Sequence, residues 1–274
     1  MAPTNKKRPK VACLTYIDNN SSNARIATMQ KISNRAKREI IFFDKLAENA
    51  DINYYWGWKT LIGRFRYQFR ADIIISHLGL KKGTKVLEIG CFVGELTKMV
   101  AYSNATIFAV DIAPKSITLA KTRIKKKNIT FEVDNIENSK FINNSFSAIF
   151  GNAILHHTNL SASSLEIKRI LKPGGKYIFF EPNLLNPEIF LERKIPVLRR
   201  LSNGSPDETA YIRWNLKKTL EKIGFKKVKI EPFDFIYPAL PYYFLPLLKF
   251  LSKILEKTPL IKEISGSLIV TGEK

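Results

Sequence analysis

The chain has 274 residues, with 45 lysines and arginines against 24 aspartates and glutamates, a formal charge of +21, and 45% apolar residues. That is enough apolar matter for one large α/β domain with appendages. The two cysteines, Cys13 and Cys91, lie far apart without metal-ligand spacing, which excludes a disulfide framework and a cysteine zinc site and fits a reducing cytoplasm.

In chain order, residues 1–30 read as a basic, poorly ordered arm carrying Lys6, Lys7, Arg8 and Lys10. The apolar run from Val11 to Ile17 is too short for a signal-peptide core with a cleavage site. Ile32 to Leu46 has helical periodicity through Ile40, Ile41, Phe43 and Leu46, and a second helix is expected from about Lys59 to Leu78. Between them stands the aromatic cluster Tyr54, Tyr55, Trp56 and Trp58. Val86 to Ile89 then reads as a buried parallel strand that breaks at Gly90, and helical spacing resumes through Leu96, Met99 and Val100. A second apolar strand, Thr106 to Asp111, ends in a carboxylate about 20 residues on, where nucleotide-binding βαβ units place their ribose-binding acid. Together the two strands indicate a nucleoside-containing cofactor.

Val86-Leu87-Glu88-Ile89-Gly90-Cys91-Phe92-Val93-Gly94 resembles the first motif of class I S-adenosylmethionine-dependent methyltransferases, acid-x-Gly-x-Gly-x-Gly, and the likeness extends over residues 83–182 with a weaker echo at the C-terminal end. Phe92 departs from it, standing where the family has its middle glycine, so that either the loop is displaced or the ring walls the site. The resemblance implies an α/β, Rossmann-like seven-stranded, mostly parallel sheet with helices on both faces and an antiparallel last strand. It implies S-adenosylmethionine as cofactor, with Glu88, Gly90, Cys91 and Gly94 around its methionine part and Asp111 and Ile112 at ribose and adenine. Asp134 and Asn135, at the end of a third strand from Ile129 to Val133, would meet the adenine edge, unless the Asp134 carboxylate caps a local turn. It also implies that residues 31–80 form a helical lid, whose aromatics line an acceptor pocket or simply pack the helices onto the sheet.

A helix opens at Pro114 and closes in Lys121, Arg123 and Lys125 to Lys127, a solvated end favoured by the helix dipole. The fourth strand, Phe146 to Phe150, runs into Asn152, expected near the sulfonium, and into His156-His157. An imidazole can take a proton from an acceptor at neutral pH, so both histidines are base candidates, with His156 ahead; the alternative is that they pack or cap the loop. Neither an Asn/Asp-Pro-Pro-aromatic signature nor a nucleophilic cysteine stands here, which argues against amino- or carbon-methylation of nucleobases. After a helix from Ser161 to Leu171, the turn Leu171-Lys172-Pro173-Gly174-Gly175-Lys176 and the strand Tyr177 to Phe180 match the small-molecule, quinone-biosynthesis-like branch of the family.

Residues 81–235 are read as the core, with 182–213 as an acceptor-side insertion that offers Asn183, Tyr211 and Arg213 as contacts. Ser205-Pro206-Asp207-Glu208 has the pattern of a helix-opening capping box. A helix from Asn215 to Ile223 stops at Gly224, a sixth strand spans Phe225 to Phe235, and the last strand is placed at Ser267 to Thr271 within residues 266–274. Residues 236–265 form a hydrophobic insertion whose helix gathers Leu247, Leu248, Phe250, Leu251, Ile254 and Leu255 on one face and lysines on the other. It is too short and proline-broken to span a membrane. Four roles for that face stay open: a membrane interface reached through 236–257, cover for an apolar acceptor tunnel, a partner subunit in a homodimer, or the chain's own domain.

The expected function is methyl transfer to a small-molecule or lipid-like acceptor, with S-adenosylhomocysteine as by-product, in the cytoplasm or peripherally on a membrane. The basic charge keeps RNA methylation as an alternative partner class, although the lysines are spread along the chain without a nucleic-acid-binding motif. A cofactor-binding protein without catalysis, marked by Phe92, is the third reading. No metal is indicated.

Overall fold

Lys85–Ile89 forms β1 because it is a short run of residues buried on both faces, flanked in the sheet by two further strands of the same kind. The computed structural model describes residues 32–48, 60–202, 204–238 and 240–274; the basic arm, Cys13 and the aromatic cluster at 54–58 lie outside them. Beside β1 stand β2 (Thr106–Asp111), β3 (Ile129–Val133), β4 (Phe146–Asn152), β5 (Leu171–Pro182), β6 (Lys226–Phe233) and β7 (Ser267–Glu273) in the order β3-β2-β1-β4-β5-β7-β6. Only β7 runs against the rest, paired antiparallel with β5 and β6. The seven-stranded, mostly parallel sheet with an antiparallel last strand is the expected architecture.

Helices cover both faces. On one side α2 (Leu61–Leu78), α3 (Glu95–Val100) and α4 (Pro114–Arg123) enclose a core that includes Ile74, Val86, Ile107 and Phe180. On the other α5 (Leu160–Ile170) and α8 (Arg213–Ile223) enclose Leu87, Ile149, Phe179 and Leu220. α8 stops at Gly224, which takes the left-handed conformation at φ 95°. The strand order reverses between β1 and β4, so their carboxyl ends open a crevice suited to a ligand.

α1 (Asn34–Glu48) crosses the sheet's carboxyl edge and contacts α4: Asp44 accepts the Lys115 backbone N–H at 2.8 Å, and Glu48 pairs with the Lys115 ammonium. α6 (Pro187–Lys194) and α7 (Pro196–Leu201) follow β5, each with proline in the first turn. Residues 205–208 open no helix, contrary to the capping-box reading. Glu208 does accept the Ser205 backbone N–H at 3.1 Å, but the Ser205 hydroxyl donates to Glu39 at 2.7 Å instead of capping a turn.

α9 (Leu245–Leu255) also differs from expectation in how it docks. It turns Leu245, Leu248 and Ser252 inward, where Leu245 and Leu248 meet Ile62, Phe65 and Ile236. The reason is polar: the Ser252 hydroxyl donates to Glu256 at 2.9 Å and receives the Phe235 N–H at 3.3 Å, so the serine's side goes inside. Leu247, Phe250, Leu251 and Ile254 are left exposed.

Candidate active site

At the end of β1 the chain turns through Gly90 at φ 71°, where a Cβ would stand 2.6 Å from the Ile154 side chain. Phe92, also left-handed at φ 46°, is held there by its N–H, which donates to Asp111 Oδ2 at 2.8 Å. The other Asp111 oxygen accepts the Ala113 N–H at 2.9 Å. Burial pushes the Asp111 carboxyl up to about 6, while those two N–H bonds pull the other way, so it is ionised at neutral pH. Glu88, buried one strand away, is pushed to about 8 by desolvation and the Asp111 charge, and its Oε2 has no hydrogen-bond partner.

Both carboxylates line a single cavity of about 770 Å³ that reaches across the tips of β1, β2 and β4 beneath α1. Gly90, Cys91, Ile112, Asp134, Asn135 and Asn152 line it as well. The Cys91 thiol is buried, which raises its pKa, and it stays protonated. Phe92 takes the second of its two expected places: its ring leaves the cavity open and becomes a wall, 5.8 Å from the Phe43 ring of α1. A cationic, hydroxylated ligand fits this lining, because Glu88 has an unmet acceptor that a positive charge would help ionise and Asp111 presents a fixed anion.

Five of the expected contacts are otherwise engaged. Gly94 does not line the cavity; it opens α3 at φ 84°, and a Cβ there would meet Ile124 at 2.6 Å. The Asp134 carboxylate takes the turn-capping alternative, accepting from the Ser139 hydroxyl at 2.6 Å and the Lys140 N–H at 3.2 Å, although its residue remains on the wall. Asn183 is buried and donates to the carbonyls of Glu263 and Ser265, and Arg213 makes a two-bond pair with Glu263. With Tyr211, which bridges to Asn183, they brace the segment before β7 away from the cavity.

At the far end of the cavity the histidine pair resolves into two different groups. His156 is 2% exposed, with Nδ1 at 2.7 Å from Glu181 and Nε2 at 3.3 Å from Glu208. Burial lowers its pKa, but the two carboxylates more than offset this and raise it to about 9, so it carries a proton at neutral pH. Glu181, at the tip of β5, also accepts the N–H groups of Ile154, Leu155 and His156, which fixes the loop. His157 is lowered instead, by burial and by the neighbouring His156 charge, and stays neutral. Its Nδ1 lies 3.1 Å from Glu39 of α1 and 3.4 Å from the Ser205 hydroxyl. The two base candidates therefore differ in charge at neutral pH, His156 protonated between its two carboxylates and His157 neutral. His156, His157 and Glu208 also offer ligand atoms within 4.8 Å of one another, but Arg193 pairs with Glu208 and both His156 nitrogens face carboxylates, so charge in the cluster is already matched.

Asn152, closing β4, is oriented from α2. Its side-chain oxygen accepts from Arg70 at 2.6 Å, and Arg70 also reaches Asp234 at 3.0 Å and Ser267 at 2.9 Å. Arg66 completes the group with two bonds to the same Asp234 oxygen. The two guanidinium groups hold Asp234 below its ordinary 3.8 against the cost of burial; its stabilisation is present above that value and is lost as pH falls through the lowered one. Asp234→Ala leaves buried Arg70 without its carboxylate, and we expect a loss of about 3–5 kcal/mol in urea unfolding. A loss within experimental error would show that the triad is not structural.

Glu39, Arg70, Glu181, Glu208 and Asp234 were not singled out by the sequence. Glu181 carried a local signal, as an acid closing an apolar strand beside the cofactor strands, and Glu208 carried one only as part of the capping-box pattern.

Residues 87–179 match the family model described as a methyltransferase domain. The demethylmenaquinone methyltransferase of Tropheryma whipplei is 27% identical over 175 residues, covering 58% of this chain and 73% of the relative. The 24-methylenesterol C-methyltransferase 2 of Arabidopsis thaliana is 25% identical over 197 residues, covering 64% of this chain and 54% of the relative, so the chain spans about half the length of that protein. Among solved structures, phosphoethanolamine N-methyltransferase 2 of Haemonchus contortus, in complex with S-adenosyl-L-methionine, superposes with a TM-score of 0.59 at 17% identity, covering 85% of this chain and 60% of its own, a likeness of fold.

Proposed function

We propose, for a chain that belongs to the class I S-adenosylmethionine-dependent methyltransferases, that it methylates a small, lipid-like acceptor of the quinone or sterol kind. The observation that carries this reading is one cavity running from the carboxylates of Glu88 and Asp111 to the His157–Glu39 pair, with Phe42, Phe43, Phe92 and Ile154 on its walls. Relatives named for quinone and sterol methylation support the acceptor class.

When bound, the cofactor supplies an electrophilic methyl group on a sulfonium and leaves as a neutral thioether. The chain's own residues do the rest. Asp111 would receive the ribose hydroxyls, and by accepting the Phe92 and Ala113 N–H groups it fixes the loop beside them. Glu88, on the cavity wall, would face the ammonium and ionise beside it. Asn152, set by Arg70, would stand beside the reacting methyl, and Phe43 of α1 would help shield it from water. A hydroxyl or carbon-acid acceptor must give up a proton as the new bond forms. Neutral His157 takes it, and the Glu39 carboxylate, 3.1 Å away, stabilises the imidazolium.

Purified protein with methyl-labelled cofactor and a fractionated cell extract tests the acceptor class. Label is expected in the organic-extractable fraction; label in RNA, or in no fraction while cofactor binds tightly, would overturn it.

A further inference from the structure

We propose that the face built from residues 242–264 and the exposed sides of α6 and α7 docks onto an anionic lipid bilayer, setting the open side of the cavity against the membrane surface. The proposal rests on the lipid-like acceptor reading for its purpose, not for its evidence.

The evidence begins with side chains that folding leaves in water. Tyr243 is 74% exposed, Phe250 62%, Leu247 51% and Ile254 46%, all within one short helical segment. Leu260 is 84% exposed and sits at φ 66°, a conformation a bulky residue rarely adopts, at the turn that follows α9. Neighbouring α6 and α7 add Phe190, Leu191 and Val197, exposed in the same way. Exposed apolar groups in such number mark an interaction surface rather than ordinary surface scatter.

The two parts are neighbours at the cavity's open side. Asn186, which caps α6, donates to the Ile264 carbonyl at 2.9 Å. Glu188 of α6 accepts from the Tyr237 hydroxyl at 3.2 Å, and these two exposed residues both line the cavity. Anything seated on this face therefore stands where the acceptor must enter.

Charge identifies the occupant. Lys249, Lys253, Lys257 and Lys262 are interleaved with the apolar residues, and Lys194 and Arg200 extend the set onto α6 and α7. The acids of the insertion are occupied internally: Glu256 accepts the Asp234 N–H and the Ser252 hydroxyl, and Glu263 pairs with Arg213. A subunit interface excludes charge from its centre, whereas apolar side chains mixed with lysines suit headgroups and the underlying acyl boundary. Among the described residues no helix is long and apolar enough to cross a membrane, so contact is in the interfacial plane. The formal charge of +21 adds attraction to an anionic surface at longer range.

The test is flotation of the full chain with vesicles of equal parts phosphatidylcholine and phosphatidylglycerol, against phosphatidylcholine alone, with no acceptor or cofactor present. We expect binding to the anionic vesicles that weakens with added salt, and a fall of about tenfold or more in partitioning for the double variant Leu247→Glu, Phe250→Glu. Both sites are more than half exposed, so folding and cofactor affinity, checked by circular dichroism and calorimetry, are expected to stay unchanged. No binding to either vesicle would overturn the proposal, as would a dimer in light scattering that the same double variant dissociates without any vesicle binding. Methyl transfer to a detergent-solubilised acceptor, measured separately, reads the activity whether or not the membrane contact holds.

Discussion

Asp111→Ala is expected to weaken S-adenosylmethionine binding by about 3 kcal/mol or more, roughly two hundredfold, since two hydrogen bonds to a charged acceptor contribute about 1.5–3 kcal/mol each. The loss exceeds what ribose contacts alone would give. The same carboxylate holds the N–H groups of Phe92 and Ala113, and Phe92 is in a left-handed conformation that has little reason to persist without that bond. Asp111→Asn retains one neutral acceptor and should fall between the alanine variant and the wild type. Titration calorimetry decides the matter: an alanine variant that binds with unaltered affinity would remove the ribose from this position. Proton release adds a second signature. Glu88 is mostly protonated in the free cavity at neutral pH, so a cation that ionises it releases a proton, and binding tightens as pH rises toward about 8. Glu88→Gln should abolish that dependence.

His157→Ala is expected to lower kcat by about a hundredfold to ten-thousandfold for an acceptor that must lose a proton, while leaving cofactor affinity unchanged. Glu39→Gln, which keeps the size of the side chain and removes its charge, should show a smaller fall in kcat of the same kind. The pH profile follows from the two histidines. His157 works as a base only when neutral, and its pKa is lowered from 6.5, so the rate rises with pH through a midpoint below that value. His156 is raised to about 9; the stability its ion pairs give the loop is complete below its ordinary 6.5 and is lost as pH climbs through 9, and the rate falls there. A His157 variant with full turnover would return the chemistry to the acceptor's own lone pair, as for an amine.

The strands near the cofactor were legible because parallel strands buried on both faces are written as apolar runs with glycine or an acid at the tip. β2 and β3 match their expected limits, and β1 and β4 depart only by residues at their ends. β5 was expected only from Tyr177, yet it starts at Leu171, because backbone pairing begins before the apolar run does. What escaped was the set of acids that decides proton ownership. Glu39 reaches His157 across 118 positions and Ser205 across 166, and no local pattern carries such a pairing. Ser205-Pro206-Asp207-Glu208 shows the failure most directly. The residue types of a cap are present, but a buried carboxylate from α1 competes for the serine hydroxyl and takes it.

Phe43 of α1 touches Phe92 at one end of the cavity and, 5.2 Å from its ring, His157 at the other. A single aromatic side chain is thus the shared boundary of the turn at 90–92 and of His157, the proposed base. On the proposed reading, a swing of α1 that opened the nucleotide end would also withdraw Glu39 from His157, so that cofactor release and loss of the base's partner would be coupled through one helix.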